Sequence, residues 1–126
     1  MELQKVATDK APAAIGPYSQ AVICGEMVFT SGQIAINPAN GRVEAETIEE
    51  QTEQVMKNLG EVLKAAGSGF ENAVKTTCFL ADIADFAAFN GVYAQYFTTC
   101  PARSCVAVKD LPKGVKVEVE VIATRK

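Results

Sequence analysis

The segment Thr47–Leu80 reads TIEEQTEQVMKNLGEVLKAAGSGFENAVKTTCFL and carries both of the periods from which the fold is built. Thr47 followed three residues later by Glu50 is a capping-box signature, in which each side chain meets the other residue's backbone N–H. Ile48, Val55, Met56, Leu59, Val62, Leu63 and Ala66 recur on one helical face, and Gly67 supplies the stop. Gly60 interrupts the run of good helix formers at about 1 kcal/mol against alanine. Its presence predicts close packing against a neighbour. From Val74 to Leu80 the period becomes two, with the Val, Thr, Cys and Phe content of a strand.

Outward from this segment the pattern continues on both sides. Upstream, a short strand is expected within Leu3–Thr8, and Pro12, Gly16 and Pro17 then punctuate a loop ending in Tyr18-Ser19-Gln20-Ala21. Val22–Cys24 and Met27–Ser31 read as a hairpin around Gly25-Glu26. Asn37-Pro38-Ala39-Asn40-Gly41 is a turn cluster that leaves Arg42 on a surface loop. Downstream, Asp82 or Asp85 can cap a second helix whose Phe86, Phe89, Tyr93, Tyr96 and Phe97 form a stripe expected in the core. Ser104–Val108 and Val115–Thr124 then read as a closing hairpin around Lys109–Gly114.

The order is strand, strand, strand, helix, strand, helix, strand, strand. It predicts an α+β fold: a single mixed β-sheet with two helices packed on one face, since crossovers of one hand place both helices on the same side. The other face has no cover from within the chain, and its small and apolar residues favour burial against another subunit. No repeat or linker divides residues 1–126, and 126 residues fit one domain.

Composition narrows the chemistry. The chain has no His, so Ser-His-Asp and Cys-His relays, His-ligated zinc and a His general base are excluded. Acid–base work falls to carboxylates, Tyr, Lys or ordered water. With 12 basic against 15 acidic residues and a pI near 5.0, the chain lacks the basic balance of a nucleic-acid groove, so no nucleic-acid partner is expected. No leader or membrane-length apolar run is evident, which predicts a cytoplasmic protein with no membrane partner. Cys24, Cys78, Cys100 and Cys105 form no Cys-x-x-Cys pair and read as thiols.

The closing pair of strands draws the functional groups together. Pairing Val108 with Val115 would set Cys105 opposite Glu118 and Arg103 opposite Glu120. Alternation would then place Val106, Val108, Val115, Val117, Val119 and Val121 on the helix-covered face and Arg103, Cys105, Ala107, Lys116, Glu118 and Glu120 on the other. A guanidinium can grip a carboxylate bidentately while a nearby Glu holds water or a cationic nitrogen. The plainer alternative is an Arg103–Glu120 pair on a solvated sheet face.

Several motifs stand together in this chain: Ile15-Gly16-Pro17-Tyr18-Ser19-Gln20-Ala21, Thr30-Ser31-Gly32-Gln33-Ile34, Val74-Lys75-Thr76-Thr77, Pro101-Ala102-Arg103-Ser104-Cys105-Val106 and Val117-Glu118-Val119-Glu120. Together they closely resemble the RidA (YjgF-type) family of enamine/imine deaminases. The resemblance implies a chorismate-mutase-like fold and a homotrimer whose sheets form a central barrel, with an active site at each subunit interface. It also implies cofactor-free hydrolysis of 2-aminoacrylate and related 2-imino acids to 2-oxo acids and ammonia. The matching positions are Arg103 for the substrate carboxylate, Cys105 beside it, Glu118 for water or imine, and Tyr18, Ser31, Gly32 and Asn90 lining the pocket. Only Thr98, Thr99 and Cys100 separate Tyr96-Phe97 from Pro101, fewer residues than family members usually have.

The chemistry suits a protein without His. An enamine tautomerises to an imine in water, and an imine beside a carboxylate is already electrophilic, so orientation and charge placement matter more than a strong base. Arg103 is assigned to the carboxylate, Glu118 to the water and the iminium, and Tyr18 or Ser31 to the proton that departs with ammonia. Cys105 is not expected to act as a nucleophile, because no His neighbour lowers its pKa. Two other readings remain at this point: a binding or regulatory module without turnover, and a ribonuclease or translation inhibitor.

Overall fold

A computed structural model describes residues 2–126. Eight regular elements follow one another: β1 (Leu3–Val6), β2 (Ala21–Cys24), β3 (Met27–Thr30), α1 (Ile48–Ala65), β4 (Ala73–Leu80), α2 (Phe86–Tyr96), β5 (Ala102–Ala107) and β6 (Val117–Thr124). The strands form one sheet in the order β1-β2-β3-β6-β4-β5. All neighbours are antiparallel except β4 and β5, so the sheet is mixed, as expected.

Local chemistry accounts for most boundaries. Thr47 Oγ1 accepts from the Glu50 N–H at 3.1 Å and Glu50 Oε1 accepts from the Thr47 N–H at 3.1 Å, completing the capping box of α1. The helix ends before Gly67, whose φ of +77° is the left-handed conformation glycine adopts most readily. Gly60 packs as anticipated: a β-carbon there would lie 3.1 Å from the Phe70 ring. At α2 the capping is split. Asp82 accepts from the Ala84 N–H at 2.9 Å in the turn before the helix, while Asp85, at the helix start itself, makes no side-chain cap.

The core lies between the helices and one face of the sheet. Val55, Met56, Leu59, Val62 and Leu63 of α1 meet Val28, Cys78, Leu80, Val117 and Val119, all fully buried, in one core with Phe89 and Tyr93 of α2 and Phe97 just after it. The aromatic stripe is therefore core, with Phe86 and Tyr96 at its margin. The opposite sheet face is uncovered. Phe29 and Val106 are 43% and 47% exposed there.

The expected closing hairpin does not form. β6 pairs with β3 on one side and β4 on the other, whereas β5 lies at the sheet edge, parallel to β4. The segment between them carries the chain across β4. Burial explains the preference: Val117, Val119 and Val121 are at most 1% exposed and gain most from a central position. β5, with Arg103 and Ser104 exposed, tolerates an edge.

This topology also overturns the expected facing of β5. Thr76, Cys78 and Leu80 are the buried row of β4, and their partners across the parallel ladder are Arg103, Cys105 and Ala107. Arg103 and Cys105 thus share the helix side, and Val106 faces away. Glu118 and Glu120 pair with Phe79 and Thr77 on the uncovered side. Arg103 and Glu118 lie on opposite faces of the sheet with β4 between their strands.

Candidate active site

The predicted site residues form two groups, one on each side of the sheet. The first is built where the loop after β1 and the segment after β3 meet β6. Tyr18, Ser31, Gly32 and Glu118 line a cavity of about 600 Å3 together with Ile15, Ile34 and Lys113. Its frame is hydrogen-bonded throughout. Gln33 exchanges two backbone bonds with Val119, N–H to O at 2.9 Å and its own O to the Val119 N–H at 3.1 Å, so residues 31–33 run beside Glu118 as an extension of the sheet.

Gln20 fixes the other wall. Its buried side chain accepts from the Thr8 N–H at 2.6 Å and donates to the Thr8 and Pro12 carbonyls at 3.0 and 2.7 Å. Its backbone carbonyl receives the Ser31 N–H at 2.9 Å. The Ser31 hydroxyl donates to the Ser19 carbonyl at 2.5 Å, so its proton is committed to the backbone. Tyr18 is 53% exposed at the cavity wall, which makes its hydroxyl the more accessible of the two.

Glu118 is half-buried in this cavity. Burial pushes its carboxyl up from the ordinary value of 4.5, and the like charge of Glu120 on the same face pushes in the same direction. Gly32 lies directly against it, so a β-carbon there would push the Glu118 carboxylate aside.

The second group surrounds Arg103. Nη1 donates to Asn90 Oδ1 at 2.6 Å, and Cζ stands 4.9 Å from the Tyr93 ring centroid and 5.5 Å from that of Phe86. Asn90, Tyr93, Phe97, Cys100 and Arg103 line a smaller cavity of about 320 Å3. The alternative Arg103–Glu120 pair does not form; the one ion pair among the described residues joins Lys126 to Glu71 at 2.7 Å. Among the described residues no acid pairs with Arg103.

Cys105 is half-buried beside Cys78. Burial raises both thiols, that of Cys78 to about 12, which leaves them protonated near neutral pH and unsuited to nucleophilic attack. Among the described residues no group of three or more Cys, Asp or Glu side chains is placed to hold a metal, and no helix is long and apolar enough to cross a membrane.

The structure places Tyr18, Ser31, Gly32 and Glu118 along one cavity, whereas Arg103 and Cys105, expected on the same face as Glu118, and Asn90, expected in the same pocket, lie on the other side of the sheet. Sequence reasoning passed over Gln33, although that residue follows Gly32 in the quoted motif. Gln20 was likewise passed over within the quoted Tyr18-Ser19-Gln20-Ala21 motif, and Lys113 carries no comparable signal. The role of Tyr93 beneath Arg103 was hidden within the core stripe.

The chain is similar to known proteins over nearly its whole length. The family described as Endoribonuclease L-PSP matches residues 8–125. The chain is 52% identical over 120 residues to the chloroplastic Reactive Intermediate Deaminase A of Arabidopsis thaliana, covering 94% of this chain and 64% of that relative's length. It is 49% identical over 119 residues to the 2-iminobutanoate/2-iminopropanoate deaminase of Homo sapiens, covering 94% of this chain and 87% of the relative. Among solved structures, that of E. coli TdcF with bound serine superposes with a TM-score of 0.92 at 43% identity, covering 98% of this chain and 99% of the other.

Proposed function

The chain belongs to the family described as Endoribonuclease L-PSP, and from that premise we propose that it is a cofactor-independent deaminase that hydrolyses 2-aminoacrylate and related 2-imino acids to 2-oxo acids and ammonia. Residues 1–126 act as one domain, and the working unit is a homotrimer placed in the cytoplasm. The Arg103 face of one protomer meets the Tyr18–Glu118 cavity of its neighbour at each interface.

One observation carries this reading. An acid sits in a cavity on one side of the sheet, and a guanidinium without an acidic partner sits on the other. Each is half of a site for a zwitterionic imino acid, and the uncovered apolar face offers the surface over which two copies can join.

The steps follow from these groups. The enamine takes a proton at carbon in water and becomes an iminium. Arg103 grips the carboxylate with its free N–H donors, beside the Asn90 amide and the Cys105 backbone. Glu118 stabilises the iminium charge, orients a water at the imine carbon and takes its proton as the carbon–oxygen bond forms. The proton returns from Glu118 to nitrogen through Tyr18, with Ser31 holding the loop; the carbon–nitrogen bond then breaks as the carbinolamine hydroxyl becomes the carbonyl, its proton leaving on the ammonia as ammonium. One water is consumed, and a 2-oxo acid and ammonium leave. Gly32 leaves the Glu118 carboxylate its place at the cavity wall.

Ammonia release is measured while 2-aminoacrylate is generated in situ. Release accelerated by the wild-type chain and lost in Arg103→Ala supports the assignment, whereas undiminished turnover in that variant removes it. The family's ribonuclease description is tested alongside. RNA cleavage that survives purification and disappears in site variants would favour it, against the missing His and acidic pI.

A further inference from the structure

Arg103 projects from the edge strand onto one face of α2. Phe86, Asn90 and Tyr93 are spaced four and three residues apart, so they stand in a row on that helix, and all three meet the guanidinium. The Tyr93 ring is itself immobilised. Its hydroxyl shares a buried hydrogen bond of 2.8 Å with Thr76 Oγ1, and its face stacks on Phe97 at 4.6 Å and 24°. Thr76 is the direct β4 partner of Arg103, so the ring is tied to the strand next to the arginine's own.

We propose that Tyr93, assisted by Phe86, is the positioning residue of the carboxylate-binding arginine: the two rings hold the guanidinium plane while the neutral Asn90 amide takes a single donor. An acidic partner would hold the arginine equally well, but it would neutralise the charge and compete with the substrate carboxylate. Aromatic faces attract a cation without discharging it. The remaining N–H donors stay directed at the incoming anion, and an arginine already held loses less side-chain freedom on binding. The inference rests on the deaminase reading for its substrate and on the α2 geometry alone for the clamp.

Two variants separate the ring from the hydroxyl. Tyr93→Phe keeps the ring and drops the buried hydrogen bond; its Tm is expected to fall while KM stays within about twofold of wild type. Tyr93→Leu removes the ring; KM is expected to rise about five- to tenfold with kcat within about twofold. Phe86→Leu, at a half-buried position, is expected to raise KM about two- to threefold and guards against loss of folding at position 93.

A readout independent of turnover is the NMR spectrum of the Arg103 side chain. Ring currents are expected to shift its Cδ and Nε protons upfield in wild type and Tyr93→Phe, and the shift is lost in Tyr93→Leu. Absence of the shift in wild type overturns the clamp, and so does an unchanged KM in a folded Tyr93→Leu. A ring-shifted Arg103 in a wild type without turnover overturns the deaminase reading; 2-oxobutanoate titration then replaces KM, and equal affinity in wild type and Tyr93→Leu overturns the clamp.

Discussion

Gly32 and Glu118 approach so closely that a β-carbon on residue 32 would stand 2.8 Å from the carboxyl carbon of Glu118 and overlap its Oε2. The contact joins the segment after β3 to the central strand at the cavity wall. Carboxylate placement and glycine identity are therefore one feature.

Gly32→Ala tests that feature. The alanine forces the Glu118 carboxylate aside, and a displacement of about 1 Å at a reacting group costs roughly a hundredfold in rate. The expected result is a fall of that order in kcat/KM for ammonia release, with far-UV circular dichroism unchanged.

The split of Arg103 and Glu118 between opposite sheet faces predicts complementation. Arg103→Ala loses a charge-assisted bidentate contact of about 3 kcal/mol, roughly a hundredfold in KM. Glu118→Gln removes the acid. When the two inactive variants are unfolded and refolded together, interfaces pairing an intact Arg103 with an intact Glu118 re-form, and about a quarter of wild-type activity is expected from random mixing. Light scattering of the wild type is expected to give three times 13.4 kDa.

Glu118 also sets a pH dependence. Its carboxyl is raised above 4.5 by burial first and by Glu120 second. The proposed mechanism uses the ionised form, so kcat/KM is expected to fall as pH drops through this raised value, and Glu120→Gln is expected to move the acid limb to lower pH. Stability has the opposite sense. The folded state binds this proton more tightly than the unfolded chain does, so its contribution is present at low pH and is lost as pH rises through the folded value. Glu118→Gln is accordingly expected to raise Tm at neutral pH while lowering turnover.

The thiols predict an order of alkylation. Cys100 is exposed, whereas Cys78 is buried with its thiol pushed up to about 12. Iodoacetamide at pH 8 followed by peptide mass mapping is expected to modify Cys100 first and to leave Cys78 intact until the chain is unfolded.

How legible the fold was depended on whether a feature is local. Thr47 and Glu50 announced the start of α1, and Gly60 announced a close neighbour, because caps and steric gaps are written within a few residues. The alternation of Val117, Val119 and Val121 correctly marked a buried row. What it could not say is which strands flank that row. A valine-rich strand followed by a short turn and another fits a hairpin as well as a crossing to the sheet centre, and only the burial available at each position decides. That single ambiguity moved Arg103 and Cys105 to the wrong face. The motifs around Tyr18, Ser31 and Arg103 singled out residues that the structure sets along two cavities; their placement on opposite sheet faces was not legible, since a wrong strand partner for β5 leaves every motif intact.

The central place of β6 has a consequence during synthesis. It follows every other strand in the chain yet lies between β3 and β4, so a nascent polypeptide ending near Gly114 holds two sheet fragments with no ladder joining them. Their facing edges stay open until Val117–Thr124 clears the ribosome, and in that interval they are the surfaces most in need of a chaperone.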